Sequence, residues 1–219
     1  MLVDPDGDST LYYNSVGKLL FCSYDNIDNA VVIIPKDKNE EFNLYLKKMK
    51  ENKTDNSTNH NVALRVMGEI YDIENIRNWY NNELPGEWSN SSIMDGDDYQ
   101  KIRLEKKAYL INNNGSIEIG SSSNLGGEKS SIPPDNKPTN ASGLIHTHYL
   151  GSGVKTKPSF QDFQNYNVNY YGYKNPSRVI MVEGMPDESG KGSKIRAIYI
   201  FNGHPSQTIT IYPKSFRHD

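Results

Sequence analysis

Apolar and polar positions divide the chain into alternating strand-like and helix-like stretches. "STLYYNSVGKLLFCSYD" (9–25) has two strand-like halves around Val16-Gly17-Lys18, the pattern of a hairpin. "NAVVIIPK" (29–36) reads as a short buried strand stopped by Pro35. In "NEEFNLYLKKMKEN" (39–52), Phe42, Leu46 and Met49 recur at helical spacing, with acids leading and lysines trailing as the helix dipole prefers. "KTDNSTNHN" (53–61) reads as a loop. "IENIRNWYNNEL" (73–84) sets Ile73, Ile76, Trp79 and Tyr80 on one helical face, and Pro85-Gly86 stops it. After a second loop, "SNSSIMDGDD" (89–98), the texture changes. "KKAYLINNNGSIEIG" (106–120) predicts a hairpin turning on Asn-Asn-Gly. Residues 121–142 form a long polar stretch, of a length that in compact domains is usually functional or disordered. Then follow a strand "GLIHTH" (143–148), a loop over 149–158, a helix from Ser159 to about Asn169, and three strands. Those strands are "SRVIMVEG", "KIRAIYIFNG" and "QTITIYP", the first two forming a meander. No internal repeat is visible.

At 219 residues the chain fits one sizeable domain, or a domain with a smaller N-terminal piece, and can bury a core without staples. A formal net charge of -3 argues against a dedicated nucleic-acid binder, which usually carries a basic face. That charge still leaves room for a local basic patch. The single Cys22 excludes an intrachain disulfide framework and a multi-cysteine zinc ribbon, and reads as a buried thiol. No apolar run is long enough for a membrane span, and the N-terminus shows no secretory signal.

Candidate chemistry sits in "GLIHTHYLGSGVKTKPSFQD" (143–162). In a strand, His146 and His148 point to the same face, as two imidazoles must to reach one metal ion. A Gly/Ser-containing loop then returns to Ser159-Phe160-Gln161-Asp162, which can bring Asp162 to the same ion. Two histidines and one aspartate leave a tetrahedral zinc ion an open position, the catalytic pattern, where bound water ionises near pH ~7. Each half has an ordinary reading: His-x-His also occurs in strands by chance, and Ser159-x-x-Asp162 behind Pro158 is a capping box. His60, His204 and His218 read as surface or loop residues.

Together these residues resemble the JAMM motif of JAB/MPN zinc metallopeptidases: a glutamate, then H-[ST]-H, then S-x-x-D at a helix start. The resemblance covers roughly residues 101–203. It implies His146, His148 and Asp162 as metal ligands, Thr147 as the residue between the histidines, and Ser159 as the donor to the developing oxyanion. It also implies a general base. Glu105, heading "EKKAYLINNNG", best matches the family's spacing; Glu118 stands closer to the histidines and Glu69 farther. Two features depart from the family: loop 149–158 is longer than usual, and Tyr149 stands where proline commonly follows the second histidine. The implied fold is α/β, a JAB/MPN-like (cytidine-deaminase-like) curved mixed sheet flanked by helices. Residues 96–219 would form this core, and 1–95 an N-terminal α+β elaboration packed on it.

A second resemblance lies in "VDPDGD" (3–8), similar to the junction that precedes the C-terminal toxin in bacterial Rhs/YD-repeat polymorphic toxins, although Asp-Pro-Asp-Gly is also a good β-turn. It implies a secreted effector, delivered into a neighbouring cell by a secretion apparatus and matched by an immunity protein. The expected activity is a zinc-dependent peptidase or isopeptidase on a protein or peptide substrate, with no nucleic-acid or membrane partner. Three rivals remain: a catalytically silent JAB-fold interaction module, a zinc amidohydrolase acting on a non-protein amide, and, more weakly, a nuclease toxin, which would want a basic cleft that the net charge does not provide, though Lys155, Lys157 and Lys174 flank the site.

Overall fold

The computed structural model describes residues 9–24, 29–51, 58–83, 89–90, 101–102, 106–124, 137–149, 157–158, 162–163, 178–186, 193–202 and 207–212. The chain is mixed α/β, with many strands and few helices. It divides into two compact units: Met1–Ile76 with Asn112–Glu118, and Arg77–Ile111 with Ile119–Asp219. Among the described residues, no helix is long and apolar enough to cross a membrane.

In the first unit, β1 (Ser9–Asn14) and β2 (Leu19–Tyr24) form the expected antiparallel hairpin. Cys22, on β2, is half-buried rather than enclosed, because among the described residues that strand ends the hydrogen-bonded order and has a neighbour on one side only. β3 (Ala30–Ile34) is buried at all five positions, since it lies between β1 and β4 (Glu69–Asp72) and is covered on both faces. Helix α1 (Asn39–Glu51) buries the predicted stripe Phe42, Leu46 and Met49 against Tyr12, Val32 and Ile34. Leu64 joins that core from α2 (Thr58–Arg65). The composition of 53–61 predicts a loop, yet α2 begins at Thr58: the apolar signal of Leu64 lies near the helix end, behind a polar first turn. Strand β4 was also missed, its four residues being too few to show a period. Helix α3 (Ile73–Glu83) starts where Asp72 Oδ1 accepts the N–H groups of Glu74 and Asn75, at 2.9 and 3.0 Å, a side-chain cap.

The second unit carries a short pair, β5 (Ser89–Asn90) with β6 (Lys101–Ile102), and a larger sheet. The long hairpin β7 (Lys106–Asn113) and β8 (Ser116–Asn124) turns through Asn114 (φ 54°) and Gly115 (φ 96°), the left-handed pair an Asn-Gly turn supplies. Strand thus continues to Asn124, into the stretch read as loop. The order is β12-β11-β10-β9-β7-β8, built with β9 (Ala141–Tyr149), β10 (Arg178–Pro186), β11 (Ser193–Phe201) and β12 (Ile209–Ile211). Strand β9 is antiparallel to β7 and parallel to β10, so it is a central strand, and all its described side chains are buried.

Gly143 shows how tightly β9 and β10 are drawn together. A Cβ placed there would lie 1.8 Å from the carbonyl oxygen of Arg178, its register partner, and backbone cannot yield as a flexible side chain can. At Gly120 the nearest obstacle, at 3.1 Å, is the Cδ1 end of Ile111, which can rotate away. Gly143→Ala is therefore expected to destabilise the protein by at least about 3 kcal/mol, and Gly120→Ala by less than about 1 kcal/mol. Urea midpoints of the two variants check the difference.

Candidate metal centre

Strand alternation sets His146 and His148 on one face of β9, as the sequence predicts, and both imidazoles are buried. Their rings lie 4.9 Å apart at 61°. Thr147, between them, points to the opposite face, where its Oγ1 accepts the N–H of Lys106 at 2.9 Å and so fastens the start of β7 to β9.

Asp162 comes from a helical segment beyond the described part of the loop. Its neighbour Phe163 packs on Phe201 of β11, with ring centroids 4.9 Å apart, in a cluster with Val179, Met181, Ala197 and Tyr199. Met181 is the register partner of His146, so this cluster lies on the histidine face. Phe163 therefore anchors Asp162 over the histidines. Asp162 Oδ1 stands 3.3 Å from His146 Nε2 and 3.5 Å from His148 Nε2. One ligand atom from each of the three residues lies within 4.8 Å of the others, so the group could hold a metal ion.

The donor chemistry fits an ion better than a shared proton. His146 Nε2 is buried and, among the described residues, makes no hydrogen bond, although Asp162 Oδ1 is near. Such an orphaned nitrogen costs about 1–3 kcal/mol unless something else satisfies it. Burial pushes the His146 imidazole down to about 4; the Asp162 carboxylate opposes this, and the charges of His148 and Lys107 add to it. Burial alone would raise the Asp162 carboxyl, but the two imidazoles outweigh it and hold the group well below the usual carboxylate range. A neutral imidazole beside an ionised carboxylate is the protonation state that metal ligands require.

Other predicted residues fall elsewhere. Glu105 and Ser159 lie outside the described residues, as do His204, His218, Lys155 and Lys174. The side chain of His60, on α2, is likewise outside the described set, and Lys157 is exposed. Glu118 is exposed on β8. Glu69 is buried on β4, where its Oε2 accepts the Tyr71 hydroxyl at 3.2 Å. Glu183, which the motif does not include, is register-paired with His148 and buried on the same face. Its oxygens are both engaged, Oε1 by Arg196 at 3.1 Å and Oε2 by the Tyr199 hydroxyl at 2.7 Å. A lone acid inside the apolar run "RVIMVEG" was the available signal.

Two outcomes follow from this geometry. His146→Ala with His148→Ala is expected to abolish stoichiometric metal uptake, and Phe163→Ala to weaken it by loosening Asp162 although no ligand is removed; metal analysis after dialysis checks both. The metal-free protein should lose stability as pH falls from 6.5 toward about 4. In that window the unfolded chain takes up a proton that buried His146 refuses, so the contribution is complete above 6.5 and declines below it. Urea midpoints at pH 7 and pH 5 measure the slope, which His146→Ala should reduce. No protein-family model, curated protein or solved structure matches this chain, which leaves the cradle of His146, His148 and Asp162 as the feature that speaks to its function.

Proposed function

We propose that this protein is a zinc-dependent hydrolase of the JAMM type, cleaving a peptide or isopeptide bond. The observation that carries the reading is the convergence of two imidazole nitrogens and one carboxylate oxygen at 3.3 and 3.5 Å. Zinc bonds of about 2.0–2.2 Å in a tetrahedron give ligand–ligand edges of about 3.3–3.6 Å, which these separations match. His146, His148 and Asp162 would hold the zinc ion, which would supply Lewis acidity and a water nucleophile at neutral pH.

The chain's own residues take the remaining roles. Glu105 is the general base that accepts a proton from the attacking water and returns it to the leaving amine. Support for it comes from its place in the sequence, 41 residues before His146, which is the spacing of the glutamate in the motif the chain resembles. Glu183 is a poorer base, since both of its oxygens are already engaged. Ser159 donates to the oxyanion as the carbonyl becomes tetrahedral, a contribution of about 3 kcal/mol in comparable sites. The mixed sheet, with β9 between antiparallel β7 and parallel β10, is compatible with a JAB/MPN-like core.

The segment 3–8, similar to the junction of Rhs/YD-repeat toxins, supports a biological setting. In it the chain is the toxin part of an interbacterial effector, acting on a protein of the recipient cell and neutralised by a cognate immunity protein.

Glu105→Gln is expected to retain about one zinc per chain and to lose activity by 100-fold or more. Toxicity on expression in bacteria, beside zinc content, reads both. Toxicity retained in Glu105→Gln would overturn the assignment of the base. Toxicity retained in the metal-free His146→Ala/His148→Ala protein would overturn the metallohydrolase reading.

A further inference from the structure

The histidine face carries charged groups on both neighbouring strands. On one flank is Lys107, buried and paired with His146. On the other is Glu183, paired with His148, whose side chain is 1% exposed. Beyond Glu183 the β10–β11 register shifts: Glu183 pairs with Ala197, and Gly184 with Ile195. Arg196 is the extra residue of this bulge, and bulges re-aim side chains that regular pleating would send elsewhere. Arg196 bends back over β10, with Nη1 on Glu183 Oε1 at 3.1 Å.

That contact is one-sided. An arginine whose task is only to neutralise a buried carboxylate typically grips it with two parallel N–H bonds. Here the second carboxylate oxygen belongs to Tyr199, at 2.7 Å. Among the described residues Arg196 is held by one nitrogen, and its side chain remains 42% exposed. Glu183, itself held by Tyr199, thus orients the guanidinium from the position paired with His148, and the exposure of the Arg196 side chain leaves part of it open to solvent. Strands lie about 4.8 Å apart, so a group reaching from β11 back to β10 sits within roughly 10 Å of the cradle on β9.

Building on the metallohydrolase reading above, we propose that Arg196 is a specificity-determining residue that binds a carboxylate of the substrate, so that the protein acts on an acidic peptide. Glu183 and Tyr199 are its positioning residues. Lys107 on the opposite flank gives the same face a second cation, as an anionic substrate would favour.

Cobalt(II)-loaded protein tests this without knowledge of the natural substrate. Acetate, succinate, glutarate, adipate and the monomethyl ester of glutarate are titrated against the visible cobalt spectrum. A dicarboxylate of suitable length can reach the metal with one end and Arg196 with the other. One of the three is expected to bind at least tenfold more tightly than acetate, with the half-ester falling back to the acetate level. Arg196→Gln should take up cobalt normally and lose that tenfold advantage. Displacement of the best dicarboxylate by N-acetylglutamate α-amide assigns the site to an acidic side chain, and displacement by N-acetylglycylglycine assigns it to a chain terminus. Equal binding of glutarate and its half-ester, with no advantage for the other two lengths, would overturn the proposal. So would an advantage that survives in Arg196→Gln. If that variant misfolds, the half-ester comparison on the unaltered protein still decides. Failure of the unaltered protein to take up cobalt would instead overturn the metal site itself.

Discussion

Everything proposed for this protein depends on β9 being a central strand with neighbours on both sides. Pairing with β7 and β10 fixes which residues share the face of His146 and His148, because side chains in register across a sheet point the same way. A slip of one residue would turn both histidines into the opposite layer and bring Ile145 and Thr147 to their place. Two local features oppose that slip. Gly143 allows the β9 and β10 backbones a contact that no other residue permits, and Thr147 Oγ1 holds the Lys106 N–H. The cradle is therefore set by backbone pairing before any ligand arrives.

The third ligand depends on packing. Asp162 reaches the histidines from a different part of the chain, and Phe163 against Phe201 holds it there. Buried apolar contact thus balances a polar arrangement that is unfavourable by itself: a half-buried carboxylate beside two buried imidazoles, one of them with an unsatisfied nitrogen. An arrangement of this kind is strained toward an ion that would satisfy all three at once. The same face shows a contrasting solution at Glu183, where Tyr199 and Arg196 occupy both oxygens and no ion is called for.

Several elements were legible without any structure. The helical stripe Phe42, Leu46, Met49 and the face Ile73, Ile76, Trp79, Tyr80 are buried as their spacing implied, because amphipathic period is a local property. The Asn114-Gly115 turn was legible for a similar reason: few other residue pairs adopt positive φ at both positions. Strand β4 and the start of α2 were not legible. Four residues cannot display a period, and the polar opening turn of α2 has the composition of a loop.

The sequence by itself determined that His146 and His148 could share a face, since alternation needs only a strand, and that Asp162 followed on a connection long enough to return. It left open which neighbours would complete the site, because those residues are distant along the chain and meet only through register. That Lys107 stands opposite His146 and Glu183 opposite His148 was decided by strand order. The aim of Arg196 was decided by a bulge in β11. Local patterns specify elements and their faces; long-range pairing specifies which faces are shared, and the chemistry of this site lies in the sharing.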